Sequence, residues 1–75
     1  MSLPVRGYID ERGWKYMVMG GIGQNYKARF QRPEKHGFTG WRGLAAVPWR
    51  ETRDDAQADL DQLAAERGWR EWLTA

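Results

Sequence analysis

The sequence predicts an α+β domain: a three-stranded antiparallel sheet, with a fourth short strand as an alternative, and one C-terminal helix packed across one face. Residues 14–19 and 26–31 place bulky apolar side chains at every second position, the period of a half-buried strand. Residues 56–67 repeat apolar side chains at intervals of three and four, as a helix does. With 75 residues and no cysteine, the chain has room for one small core, so we expect a single domain.

Two strands and their connections follow from local patterns. Residues 14–19 and 26–31 are the firmest strands, and the glycine-rich segment 20–25 between them predicts a turn. Pro33, Gly37 and Gly40 indicate a loop after the second strand.

The remaining strands are shorter. A third strand is expected at 41–47, ended by Pro48, which cannot donate to a ladder. Residues 5–9, followed by the turn-like 10–13, predict the alternative fourth strand at an edge of the sheet. The sheet would then span about residues 5–48.

The helix is predicted over 52–67, followed by a tail at 68–75. Thr52 is a favoured N-cap, and acidic residues follow it where the helix dipole is positive. Gly68 suits a left-handed C-cap. The apolar stripe contains Ala56, Leu60, Leu63, Ala64 and the stem of Arg67. In the tail, Trp69 or Trp72 is expected to cover an end of the core, either in a second helical turn or in a segment that folds back.

The strand alternation divides the sheet into two faces. The face expected against the helix carries Tyr16, Val18, Tyr26, Ala28, Phe30, Ala45 and Val47. We call the sheet surface that the helix leaves in water the outer face. Its predicted residues are Lys15, Met17, Met19, Lys27, Arg29, Gln31 and Arg42, with Leu44 at the same parity.

Charge is distributed unevenly along the chain. Residues 1–50 contain nine Lys or Arg and three Asp or Glu, whereas residues 51–75 contain three and seven. Such an asymmetry, with tryptophan and tyrosine in the basic half, is typical of a surface that binds a charged partner.

The first functional interpretation is noncatalytic nucleic-acid binding through the outer face. Lysine and arginine neutralise phosphates, while long or aromatic side chains contact bases. The predicted binding residues are Lys15, Lys27, Arg29, Gln31 and Arg42. A structural explanation of the same pattern is that alternating lysine and arginine keep a strand soluble.

The second interpretation is a protein-interaction or homodimerising module. Tryptophan is enriched where interfaces bind most strongly. The candidate interface residues are Trp49, Trp69, Trp72 and Leu73.

The order of three strands and a helix, with Trp14, Tyr26, Trp41 and a Thr-led helix containing Asp54, Asp55, Ala56 and Leu60, resembles two DNA-binding families. These are the domains of plant ethylene-response factors and the arm-binding domains of phage and transposon integrases. The resemblance spans residues 13–68 and implies DNA more than RNA as partner, a phage or mobile-element context, and contacts from Lys15, Lys27, Arg29 and Arg42. The chain lacks the Arg-Gly-Val-Arg run of the plant domains near the first strand.

A remote alternative is an RNA-cleaving toxin. Gly13-Trp14, Gly23, Phe30, Pro33, Gly37 and Val47-Pro48 are similar in order to the strand segments of Hic-type toxins. Those toxins carry a histidine in the turn after the first strand, where this chain has Gly23-Gln24-Asn25, and their leading helix has no counterpart in residues 1–12.

We expect no catalytic residue, no metal ion and no cofactor. His36, the one histidine, is expected to be an exposed loop residue. Residues 20–23 lack the Lys and Ser or Thr of a phosphate loop. The helix acids Asp54, Asp55, Asp59 and Asp61 are expected to form a solvated face. Because no segment has the apolar length of a signal peptide or a membrane span, we expect a cytoplasmic protein without membrane contact.

Overall fold

The structure of the protein, a computed structural model, describes residues 3–21, 23, 25–33 and 40–74. It contains a five-stranded antiparallel sheet and one helix, so the predicted α+β class is confirmed, with more strands than expected. The elements are β1 (Arg6–Ile9), β2 (Lys15–Gly20), β3 (Tyr26–Gln31), β4 (Arg42–Gly43), α1 (Arg53–Arg67) and β5 (Arg70–Thr74). The strands lie in the order β4-β3-β2-β1-β5. Within the described ranges, no helix is long and apolar enough to cross a membrane.

The alternative strand forms as β1 and pairs with β2. The backbone N–H of Asp10 donates to the carbonyl of Trp14 (3.0 Å), and the N–H of Gly13 donates to the carbonyl of Asp10 (3.1 Å). Gly13 has a φ of 83°, a conformation that glycine adopts without steric cost. The prediction that β1 lies at an edge of the sheet is wrong, because β1 pairs with β2 along one backbone edge and with β5 along the other.

The carboxylate of Asp10 holds this hairpin together. Its Oδ1 accepts hydrogen bonds from the backbone N–H groups of Arg12 (2.9 Å) and Trp14 (3.0 Å). Its Oδ2 accepts from the Tyr16 hydroxyl (2.8 Å) and the Arg12 guanidinium (2.8 Å). Burial opposes the charge of Asp10, but these hydrogen bonds outweigh it and hold the pKa of the carboxyl below its usual value. Burial, and then the bond to Asp10, raises the pKa of Tyr16 to about 12.

β2 and β3 pair along their full length, from Lys15↔Gln31 to Gly20↔Tyr26, which confirms both predicted alternations. The N–H of Gly21 donates to the carbonyl of Asn25 (2.8 Å) across the turn. Positions 22 and 24 of that turn, and 34–39 of the following loop with the predicted exposed His36, lie outside the described residues.

The third predicted strand is much shorter than 41–47, because β4 contains only Arg42 and Gly43. The chain then turns, and the N–H of Val47 donates to the carbonyl of Leu44 (3.3 Å). This turn buries Val47 and leaves Ala45, expected against the helix, exposed. The chain returns to β3 at Arg50, which exchanges two backbone hydrogen bonds with Tyr26 (2.7 and 2.8 Å).

The helix begins and ends as predicted. Thr52 Oγ1 accepts a hydrogen bond from the N–H of Asp55 (3.1 Å), and Gly68, with a φ of 71°, donates its N–H to the carbonyl of Ala64. Within the predicted stripe, Ala56, Leu60 and Ala64 are buried. The cap and the apolar periodicity are therefore confirmed.

Because Thr52 satisfies a helix N–H, we expect Thr52→Ala to lower the free energy of unfolding by about 1 kcal/mol. Thr52→Ser, which keeps the hydroxyl, should retain most of the stability. Urea denaturation of the three proteins checks this. An alanine variant as stable as the parent would show that the cap contributes nothing.

Gln57 fixes the helix to β1, and the sequence pattern did not reveal it. The residue is fully buried. Its Nε2 donates to the carbonyl of Arg6 (3.2 Å) and to Asp61 Oδ1 (2.9 Å), while its Oε1 accepts from the N–H of Arg6 (3.3 Å). The Tyr8 hydroxyl also donates to Asp61 (2.6 Å). Burial, and then this bond, raises the pKa of Tyr8 to about 12.

The tail folds back, one of its two expected arrangements, and forms β5 beside β1. The Trp69 ring stacks on Tyr16, with centroids 3.8 Å apart and planes 10° apart. The buried core consists of Tyr8, Tyr16, Ala28, Val47, Leu60 and Ala64. The helix thus covers one face of the sheet, and the other face carries no element among the described residues.

Candidate functional site

The pairing register places four of the predicted binding residues on the outer face. Directly paired residues project from the same side of a sheet. The outer-face pairs of β2 and β3 are Lys15↔Gln31, Met17↔Arg29 and Met19↔Lys27. The intervening pairs include Tyr16 and Ala28, which are buried on the helix side. Lys15, Lys27, Arg29 and Gln31 therefore share one surface.

Arg42 lies on the other parity, so its predicted place on the outer face is wrong. β4 pairs Arg42 with Phe30, a helix-side residue, and Gly43 with Arg29. Leu44, expected on the outer face with Arg42, packs against the core instead. Both errors have one cause: an offset of one residue exchanges the two faces of a strand.

Trp49 joins the outer face from the segment after β4. A Cβ on Gly21 would lie 2.6 Å from Cζ3 of the Trp49 ring, so the ring rests directly on the glycine backbone. The Lys27 Nζ lies 5.5 Å from the ring centroid and the Arg29 guanidinium carbon 6.0 Å, both within cation–π range. The indole remains 49% exposed.

Trp72 also lies on the outer face, near the β5 edge of the sheet. A Cβ on Gly7 would lie 2.7 Å from the Trp72 Nε1, and the Lys15 Nζ lies 4.6 Å from the ring centroid. The β1–β5 register is interrupted at this point: Gly7 pairs with Leu73 and Tyr8 with Glu71, which leaves Trp72 as the extra residue of a bulge. The ring is 38% exposed.

The remaining residues of the predicted protein interface separate. Trp69 stacks on Tyr16 within the core, so its expected place in an exposed patch is wrong. Leu73 pairs with Gly7, so it shares the outer face, where it is half-buried. Trp49 and Trp72, which the sequence suggested as a separate interface, belong to the same surface as the basic residues.

Arg70 adds a basic residue that the sequence analysis missed. It pairs with Ile9, and Ile9 pairs with Lys15, so all three share the outer face. It was missed because the tail was not predicted to be a strand. Gly7 was the one sequence feature that indicated a segment packed against β1, since glycine inside a strand often marks the close approach of another group.

The outer face is basic and carries no acidic residue among the described strand positions. Lys15, Lys27, Arg29 and Arg70 form no ion pair with any described residue. The Arg29 Nε is buried without a hydrogen-bond partner in the described part of the chain. The ion pairs lie elsewhere, for example between Arg50 and Asp59 (2.7 Å). The charge asymmetry of the sequence is therefore also an asymmetry between the two sides of the molecule.

A cleft lies at one end of the core. This open cleft of about 490 Å³ is bordered by Arg12 and Arg67. Its aromatic lining is Trp14, Tyr16, Phe30 and Trp69. Arg12 is held by Asp10 and lies 3.7 Å from the Trp14 ring centroid. The cleft thus combines core rings with a guanidinium that already has a carboxylate partner.

In the described part of the chain, no three His, Asp or Glu side chains lie close enough together to hold a metal ion. The helix acids are engaged separately: Asp59 with Arg50, Asp61 with Tyr8 and Gln57, and Asp54 with the N–H of Leu3 (3.1 Å).

In comparisons with known proteins, no family model, no curated protein and no solved structure matches this chain.

Proposed function

We propose that this chain is a small noncatalytic nucleic-acid-binding module of the cytoplasm that uses the outer face of its sheet. One observation carries the proposal: four basic residues without ion-pair partners among the described residues and two exposed indoles share a surface on which no described strand residue is acidic. A basic surface with exposed aromatic rings suits a polyanion whose bases can contact the rings. DNA ahead of RNA, and a prophage or mobile-element context, are proposed from the family resemblance alone.

The physical basis of binding would be release of counterions from phosphates. Lys27 and Arg29 lie at adjacent outer-face positions of β3, and Lys15 and Arg70 lie on the same face, on β2 and β5. Each phosphate that such a residue neutralises steepens the salt dependence of the affinity by slightly less than one unit of logarithmic slope. The acidic side chains of α1 lie on the helix, which covers the opposite face of the sheet.

The double variant Lys27→Gln, Arg29→Gln is expected to bind nucleic acid more weakly. The slope of log affinity against log salt concentration should also become shallower by about 1.5 to 2 units. Fluorescence anisotropy with labelled duplex and single-stranded DNA at two salt concentrations measures both quantities. Folding should change little, because both side chains lie on the open face.

The matched control is the double variant Arg32→Gln, Arg67→Gln. It removes two exposed positive charges from other positions: Arg32 near the Trp14 ring and Arg67 at the cleft. Its salt slope should remain that of the parent. Equal losses in the two double variants would show a general charge effect and would exclude the outer face as the site.

A homodimer is the second candidate, and one observation favours it. β5 has a single neighbour among the described strands, so its other backbone edge can pair with a second copy. Sedimentation at increasing protein concentration distinguishes the candidates. A dimer that forms without nucleic acid, in a protein that binds none, would replace the proposed function.

A further inference from the structure

We infer that the outer face binds single-stranded nucleic acid, with unpaired bases stacked on Trp49 and Trp72. The inference rests on the proposed function and narrows it to strands whose bases are unpaired. It starts from the position of the two rings, which flank the basic residues instead of forming a separate patch.

Both rings are held in place before any ligand binds. Trp49 rests on Gly21 and Trp72 on Gly7, and any side chain at either glycine would occupy the position of the ring. Yet the two indoles are 49% and 38% exposed, and Leu3 is the one other large apolar side chain so exposed in the described ranges. Fixed, half-exposed aromatic rings lose little conformational entropy when a planar group stacks on them.

A paired duplex cannot use these rings in the same way. Its base faces are stacked on one another, and it offers phosphates and base edges. An unpaired base exposes its face, and stacking of a base on an aromatic side chain is stronger than an exposed cation–π contact. A base can therefore displace the Lys15 ammonium from the Trp72 ring, and the ammonium can then contact a phosphate.

The distance between the two rings matches the length of a short segment of single-stranded nucleic acid. The Met17 Cγ lies 3.2 Å from the position of a Cβ on Gly7, so Gly7 and Met17 are neighbours on β1 and β2. Gly21 follows Met17 by four residues, or about 13 Å along an extended chain. With one strand spacing added, the two supporting glycines lie about 14 Å apart. That distance corresponds to about four nucleotides at the rise of a stacked strand.

The test compares labelled dT10, rU10 and a ten-base-pair DNA duplex at one salt concentration. The variants are Trp49→Leu and Trp72→Leu, which remove the ring, and Trp49→Phe and Trp72→Phe, which retain an aromatic face. Leu3→Ala removes the third exposed apolar side chain and serves as the control. Melting temperatures confirm that each variant is folded.

We expect dT10 to bind at least tenfold more tightly than the duplex, and each leucine variant to lose roughly tenfold in affinity for dT10. The phenylalanine variants should retain most of the affinity, and Leu3→Ala all of it. The leucine variants should lose less affinity for the duplex than for dT10, because the faces of paired bases cannot stack on the rings. Binding of rU10 as tightly as dT10 would support stacking and overturn the preference for DNA.

Other outcomes separate this inference from the proposed function. If the duplex binds as tightly as dT10, or if the leucine variants keep full affinity for dT10, the inference is wrong. The proposed function still stands in that case, provided that the Lys27 and Arg29 double variant flattens the salt dependence. If none of the three nucleic acids binds, both are wrong.

Discussion

Asp10→Ala is expected to lower the free energy of unfolding by roughly 3 kcal/mol, because three buried or half-buried donors lose their common acceptor. These donors are the Tyr16 hydroxyl and the backbone N–H groups of Arg12 and Trp14. A small domain has about 0.05–0.15 kcal/mol of stability per residue, so this loss would leave a marginal fold. Urea denaturation at neutral pH measures it.

Glu11→Ala is the matched control, since Glu11 is the exposed acidic neighbour in the same turn. Its stability should stay close to that of the parent. Equal losses at the two positions would show that the carboxylate of Asp10 has no special role in the hairpin.

The same network predicts how stability depends on pH. The pKa of Asp10 in the folded protein is below the ordinary value of 3.8. A carboxyl of this kind contributes its full stabilisation above the unfolded pKa, and the contribution falls as the pH drops through the folded pKa. The difference in free energy of unfolding between the parent and Asp10→Asn should therefore be constant from neutral pH to about pH 5 and shrink below about pH 4. A difference that does not shrink as the pH falls below 3.8 would contradict the assignment.

Leu60→Ala is expected to cost about 3 to 4 kcal/mol, because it leaves a cavity in the centre of the core. Among the described residues, Leu60 is the largest fully buried side chain, and it packs between the helix and the sheet. Leu63→Ala, at a half-buried position beside the cleft, should cost less because solvent and neighbouring side chains can fill the space. Thermal or urea unfolding compares the two, and a larger loss at Leu63 would contradict this position of the core.

The parts of the fold that were predicted correctly depend on local signals. Thr52 and Gly68 mark the helix ends through hydrogen bonds to residues three or four positions away. The alternations in β2 and β3 reflect burial of every second side chain across a hairpin. Such patterns require no knowledge of distant parts of the chain.

The errors concern pairing between distant or weakly patterned segments. β5 has no regular alternation of apolar and polar residues. It forms a strand because its backbone pairs with β1, which lies far away in the sequence: Gly7 pairs with Leu73. β4 is short because Ala45 and Ala46 have little preference for strands, and the chain must turn to bury Val47.

In the candidate site, too, the positions set by local patterns were predicted correctly, and those set by distant pairing were not. Lys15, Lys27, Arg29 and Gln31 follow from parity within one hairpin, whereas Arg42 depends on the register of a two-residue strand. Trp49 and Trp72 reach the outer face through a turn and a bulge, and neither feature follows from periodicity. Their position beside the basic residues is the feature on which the proposed function depends most.

The position of the bound nucleic acid tests the central claim most directly. Titration of the ¹⁵N-labelled protein with dT10 and with duplex DNA, followed by NMR, reports the backbone amides and the indole N–H groups together. The account predicts that whichever DNA binds shifts the β2 and β3 amides and the indole signals of Trp49 and Trp72, while the Trp14 and Trp69 indoles and the amides of α1 stay in place. Shifts confined to α1 or to Trp14 and Trp69 at the cleft would contradict it and place the binding site on the opposite side of the molecule.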